Sequence, residues 1–489
     1  MRLRTQVLLT SMSKSLKHVG VFVLAIFLTR YFTKYEYGTY LQIMLIANTA
    51  IYFAVFGIPS SIYYFLPRSA EKRRMMKITI TLLFTISVLV SFGIYTSSGL
   101  IAKGFNNPSL TEYSWLIASF ILLQIPIKLY EPFMVSTQNV ARFVLINASF
   151  NVGFLLAILI PVLLDWELKE VLISLFLFFI TQLIAVYVMT FYTYFKLEDD
   201  TDGDEYLISN QISYSLPIGF TGAIAQLGIA VDKMIVSSYY DPEQLAVYTR
   251  GAMEIPMLNV IANSLGNILM PRFVEEFRDG NIDAVMKLWH SSIKMMAMFI
   301  YPTLVFFILT AEHLIPFLFT DEYIDSVVIF QVYTLGLITR ITSYDAIVRA
   351  VGKTKILFKM SLLAVLLNIT FTILLIELIG IVGAPLATVI VGTVLRFVYL
   401  VIITKLLGVS LVQVFPWLSL VKLISISLLA GIFTFPLLAL DLSHASMLIA
   451  CSIVFAVVYL VGFRYTNALT ENERKSVSGL LPKKLRWIL

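Results

Sequence analysis

The chain has 489 residues, 59% of them hydrophobic and only 13% charged, with a formal net charge of +6. Soluble domains carry about 45–50% apolar and about 25% charged residues, so composition excludes a water-soluble globule and makes lipid the solvent. One cysteine, Cys451, excludes an internal disulfide and a cysteine-based metal site.

A basic stretch, MRLRTQVLLTSMSKSLKHVG, precedes the first apolar run. That run lacks a small-residue cleavage site and reads as a retained span. From there hydropathy predicts about fourteen membrane helices, at about 14–32, 39–66, 77–102, 113–137, 142–164, 170–195, 211–238, 245–271, 288–311, 324–349, 356–379, 382–404, 416–439 and 445–464. The runs are apolar all round and lack the alternation of outer-membrane strands, so the expected fold is all-α, a polytopic integral membrane protein. With the N-terminus inside, inner segments hold roughly 24 Lys/Arg and outer loops roughly 3, which predicts that both termini are cytoplasmic.

After the sixth span the acidic run KLEDDTDGDEY, residues 196–206, reads as a solvated linker. Gly203 stands in the wrong place for a calcium loop. The linker separates two stretches that resemble each other. YGTYLQ at 37–42 opens a span ending in FLPR at 65–68, and LAVYTR at 245–250 opens one ending in LMPR at 269–272. YEPFMVSTQNVAR at 130–142 compares with YDAIVRAVGKTKI at 344–356. Tyr40 and Tyr248 are 208 residues apart, and Tyr130 and Tyr344 are 214 apart. The expected organisation is an N-terminal six-helix bundle (1–196), the linker (197–210), a C-terminal six-helix bundle (211–410), two additional transmembrane helices (411–465) and a basic cytoplasmic tail (466–489). Transporters built from repeats place substrate between them, near the midplane.

Charges inside spans are costly, about 2.5–3.5 kcal/mol each on insertion scales, and usually face a cavity or a partner. Arg250 and Glu254 are four apart, as are Asp345 and Arg349, so intrahelical pairing competes with a substrate role for each pair; Lys128 and Glu131 are three apart. Arg30, Arg340 and Arg396 have no acid at helical spacing, and Asp232 stands beside Lys233. Arg30 is near a span end, where snorkelling competes with cavity lining. The in-span cations outnumber the carboxylates, which suits an anionic substrate, and arginine's planar fork suits phosphate. Asn259, Asn263 and Asn267 form a stripe at four-residue spacing, readable as a sugar-facing surface or as interhelical hydrogen bonding. Pro126, Pro217, Pro256, Pro302 and the Gly57–Pro59 stretch predict kinked or opened spans.

Three stretches carry a family resemblance: LTRYFTKYEYGTYLQ (28–42), AVDKMIVSSYYDPEQLAVYTRGAMEIP (230–256) and LFTDEYIDSVVIFQVY (318–333). With them the chain resembles, over nearly its whole length, the polysaccharide transporters of the multidrug/oligosaccharidyl-lipid/polysaccharide (MOP) exporter superfamily. Within that group it is similar to bacterial flippases for O-antigen, capsule or teichuronic-type repeat units. The resemblance implies two six-helix bundles around a cavity with alternating access, two extra C-terminal helices, a bacterial plasma membrane, and an undecaprenyl-diphosphate oligosaccharide as substrate. It also implies surrounding lipids, with a polysaccharide polymerase and chain-length machinery as candidate partners. By physical placement, Arg30, Arg250, Arg340 and Arg396 are the candidates for diphosphate attraction, and Asp232, Glu254, Asp345 and Arg349 for ion coupling or structural pairing.

Two other readings compete. A cation-coupled multidrug antiporter of the same superfamily would want a more acidic or aromatic cavity. A membrane enzyme of polysaccharide assembly, a glycosyltransferase or polymerase, would want a soluble domain or a large outer loop. No nucleophile elbow, phosphate-binding glycine loop or His/Cys cluster is present, so no catalytic residue, cofactor, metal or nucleic-acid partner is expected. The four histidines, His18, His290, His313 and His444, are scattered near span ends.

Overall fold

The computed structural model describes residues 19–199 and 203–466; within 256–268 only Leu258 and Gly266 are described beyond the backbone. The described residues form α1 (Val19–Tyr31), α2 (Lys34–Val55), α3 (Ile58–Phe65), α4 (Lys72–Thr96), α5 (Ser98–Gly104), α6 (Ser114–Ile127), α7 (Tyr130–Ser136), α8 (Val140–Leu163), α9 (Leu168–Tyr194) and α10 (Ile208–Tyr239). These are followed by α11 (Pro242–Gly251), α12 (Pro256–Arg278), α13 (Ile282–Phe319), α14 (Ser326–Leu335), α15 (Asp345–Ala350), α16 (Thr354–Ile379), α17 (Gly383–Leu407), α18 (Trp417–Thr434) and α19 (His444–Thr466). Among the described residues, ten helical segments are long and apolar enough to cross a membrane, one of them the α16–α17 hairpin. The protein is a multi-pass, all-helical membrane protein. Its outer surfaces are apolar: only 17% of the α8 window is buried, and Leu89, Phe92 and Leu378 are each more than 60% exposed. In lipid such side chains are solvated, whereas water would penalise them.

Two compact units divide between Ala246 and Val247. The packing boundary therefore lies beyond the acidic linker, because α10 packs on α2 and α3 within the first unit. Glycines allow this approach. A Cβ on Gly57 would lie 2.6 Å from the Ser215 carbonyl oxygen, and one on Gly219 2.5 Å from that of Phe56. Gly57 also has φ +79°, where the second predicted span bends between α2 and α3. Below the bend, Gln211 of α10 is buried and donates to Ser61 Oγ at 2.8 Å.

The linker is tied down rather than freely solvated. Arg73 Nε donates to the Leu197 carbonyl at 2.8 Å, and Asp204 exchanges backbone hydrogen bonds with Arg68 and Ala70. Most of these bonds use the linker's backbone, which composition does not report; Asp199 adds its carboxylate, accepting from Arg73 N at 3.2 Å.

In the second unit α13 is the hub, with α12, α14, α18 and α19 packed on it. Trp289 is buried there and its Nε1 donates to the Val414 carbonyl at 3.1 Å. The last two helices thus dock on the second unit through α13, with Tyr459 Oη donating to the Met298 carbonyl at 2.7 Å.

The internal repeat reappears in the helix limits. Moved by the 214-residue offset of Tyr130 and Tyr344, Val140 at the start of α8 falls on Thr354, the start of α16. Moved by the 208-residue offset of Tyr40 and Tyr248, Thr33 falls on Asp241. Both are helix-starting acceptors: the Thr33 side chain accepts from Glu36 N, and Asp241 Oδ1 accepts from Gln244 N at 2.9 Å.

Candidate functional site

Two predicted spans of the second unit are not continuous helices, and their breaks form a cleft. The eighth span stops at Gly251 and resumes at Pro256. A Cβ at Gly251 would lie 2.5 Å from Ile329, so glycine is needed where α11 meets α14. Proline at 256 holds Ile255 in an extended conformation, φ −83° and ψ 107°. Arg250 and Glu254 therefore do not share one continuous helix, and their four-residue spacing no longer places them on one helical face. Arg250 is buried with its guanidinium 5.2 Å from the Phe319 ring centroid, while Glu254 stands in the break and meets Arg340 at 3.5 Å.

The tenth span is interrupted as well. After α14 comes a 3₁₀ turn at Gly336–Thr339, then a non-helical stretch, then α15. A broken helix inside a membrane leaves backbone carbonyls that must find donors. Arg396 of α17 supplies one, reaching the Gly336 carbonyl at 3.4 Å and Thr339 Oγ1 at 2.7 Å. Tyr344 Oη supplies another, donating to the Thr339 carbonyl at 2.8 Å.

Glu254, Arg340 and Arg396 line one partly open cleft, together with Tyr333, Thr334 and Thr388, with a cavity volume of about 70 Å³. Two guanidinium groups face one carboxylate, so the lining carries net positive charge. The Glu254–Arg340 pair is long, and its side chains are about half exposed, at 51% and 42%. Such a pair stabilises by about 0–1 kcal/mol, little enough for an anionic ligand to displace it. Arg396 is held by fixed partners, so its charge is pre-oriented.

The remaining candidates lie elsewhere. Arg30 is exposed at the end of α1 in the first unit. Asp232 is half-buried on α10, and its Oδ1 accepts from Lys233 N at 2.9 Å. Asp345 and Arg349 form the intrahelical pair that their spacing predicted, on α15. The side chains of Asn259, Asn263 and Asn267 fall outside the described residues. Sequence reasoning missed Tyr333, Thr339 and Thr388. The signal available for Thr339 was Gly336 three residues earlier, a helix-weakening residue beside an in-span arginine.

The comparisons with known proteins agree with this architecture. The model of a family described as "Polysaccharide biosynthesis protein" matches residues 27–328. The chain belongs to that family. A curated relative, the capsular polysaccharide biosynthesis protein CapF of Staphylococcus aureus, is 21% identical over 189 residues, 38% of this chain. The match spans about half (47%) of that relative's length. Among solved structures, the lipid II flippase MurJ in an inward closed conformation superposes with a TM-score of 0.71 at 16% identity, covering 94% of this chain and 98% of that one. An inward-facing multidrug resistance MATE transporter of the MOP superfamily gives 0.63 at 11% identity, over 80% of this chain and 94% of that one. A MOP-superfamily transporter from Pyrococcus furiosus, described by the reversed polarity of its binding pocket, gives 0.53 at 12% identity over 82% and 94%. The fold is that of MOP-superfamily transporters.

Proposed function

We propose that this member of the polysaccharide biosynthesis family is a flippase. It moves an undecaprenyl-diphosphate-linked oligosaccharide repeat unit from the inner to the outer leaflet of the bacterial plasma membrane by alternating access. The observation that carries the reading is the cationic cleft of Arg340 and Arg396 at two interrupted spans. Arg340 would exchange Glu254 for the diphosphate, Arg396 would hold a second phosphate oxygen, and the threonine and tyrosine hydroxyls of the cleft would meet sugar hydroxyls. Arg30 is a further candidate cation for the diphosphate, and Arg250 acts as a buried anchor. Glu254 is the carboxylate best placed for ion coupling, ahead of Asp232 and Asp345. Both termini are assigned to the cytoplasm on the positive-inside count, the two bundles on the repeat, and polymerase and chain-length proteins as partners on the family's pathway class.

The test is reconstitution in liposomes with a labelled undecaprenyl-diphosphate oligosaccharide, following its arrival in the opposite leaflet. Transfer supports the flippase. Uptake of an organic cation against a proton or sodium gradient, with no lipid transfer, promotes the antiporter instead. Glycan elongation without transfer promotes the enzyme.

A further inference from the structure

Of the four histidines, two that are 131 residues apart in sequence meet nitrogen to nitrogen. His313, near the end of α13, and His444, the first residue of α19, bring their Nδ1 atoms to 3.1 Å. The two rings come from different elements, with their planes inclined at 54°. His444 Nε2 lies 3.3 Å from Asp321 Oδ1 on the 3₁₀ turn after α13. A carboxylate accepts, so that contact places the neutral ring's proton on Nε2 and leaves Nδ1 as a lone pair facing His313. A carboxylate on the far nitrogen is the usual support of a metal-bound imidazole, fixing its tautomer and raising its basicity.

We propose that His313 and His444 hold a zinc-class divalent transition-metal ion between their Nδ1 atoms, with Asp321 orienting His444. Two nitrogens each about 2.0–2.1 Å from a tetrahedral zinc lie about 3.3 Å apart, close to the separation seen. Among the described residues no three His, Cys, Asp or Glu side chains converge on one point. The site therefore has two protein ligands, with water completing the shell. An open site of this kind is exchangeable, and His444, 41% exposed, gives the ion a path from solvent. Its occupation would tie the terminal hairpin, α18 and α19, to the hub helix α13. The inference is independent of the transport reading.

The experiment uses the full-length protein in detergent or nanodiscs after chelator treatment. Zinc and nickel titrations are followed by calorimetry and by thermal unfolding. The expected result is one equivalent bound at micromolar affinity and a rise in Tm of a few degrees at saturating metal, because an ion bound only to the folded state stabilises it. His313→Ala and His444→Ala should each weaken binding at least tenfold. Asp321→Asn should weaken it less and leave the unliganded Tm unchanged, which guards against a variant that merely misfolds. Binding that is unchanged in both histidine variants overturns the proposal. So does a wild-type Tm that is insensitive to metal while His313→Ala lowers it, the signature of a simple imidazole–imidazole hydrogen bond.

Discussion

The two halves of the repeat place different chemistry at matching positions. In the first unit Gln124 of α6 donates to Gln182 of α9 at 2.9 Å, a neutral bridge between the fourth and sixth spans. Moved by 214 residues, Gln182 falls on Arg396, which bridges the tenth and twelfth spans in the second unit. A second substitution of the same kind occurs at the other offset. Gln42, buried on α2, donates to the Phe105 carbonyl at 2.9 Å; moved by 208 residues it falls on Arg250, which lies over the Phe319 ring. The amides close gaps in the first unit without charge. The guanidiniums do the same bridging in the second unit while carrying charge, but only Arg396 lines the cleft. Equivalent position therefore does not imply equivalent surroundings: Arg396 lines the cleft, whereas Arg250 lies over the Phe319 ring.

The largest effects are expected at the packing contacts. A Cβ at Gly38 would lie 1.8 Å from the Pro242 carbonyl oxygen, and at Gly57 the φ of +79° adds backbone strain. Gly38→Ala and Gly57→Ala should each destabilise by several kcal/mol, seen as loss of monodisperse protein on size exclusion. Tolerance of either would contradict close packing of the first unit at these glycines. Next comes the charge itself. Arg396→Gln installs the first unit's residue in the second. It should keep the bridge to Thr339 and the fold, yet lower binding of a diphosphate lipid by about 10–100-fold, the loss of one charge-assisted bond at about 1.5–3 kcal/mol. Arg340→Ala should lower it by a similar factor, with less effect on Tm because its ion pair is half exposed.

Arg250→Gln makes the same exchange at the arginine outside the cleft. It should cost about 0.5–2 kcal/mol of stability through the lost contact with Phe319 and leave lipid affinity within about twofold. The smallest effect belongs to Asp345→Asn. Its partner Arg349 is 56% exposed, so thermal unfolding should move by less than about 0.5 kcal/mol.

Much of the fold was legible because lipid imposes it. Long apolar runs had to be helices, and the fourteen expected spans find helical counterparts from α1 to α19. The repeat was legible through Tyr130 and Tyr344, since both stand where a span is interrupted and a short helix begins. The cleft was half legible. Arg340 and Arg396 stood out as cations inside apolar runs, but spacing offered Glu254 only Arg250 as a helical partner. Helical spacing has meaning only while the helix continues, and the break between Gly251 and Pro256 redirected that carboxylate to Arg340. The packing boundary after α10 was not legible, because it depends on glycine contacts between residues far apart in sequence. The meeting of His313 and His444 was hidden for the same reason.

The most direct test of the central claim is affinity for undecaprenyl diphosphate carrying the oligosaccharide, measured in nanodiscs for wild type, Arg396→Gln and Arg250→Gln at matched folded fraction. The cationic-cleft account predicts a loss of at least tenfold for Arg396→Gln and near wild-type binding for Arg250→Gln. Equal affinity in all three, or a loss confined to Arg250→Gln, would contradict it.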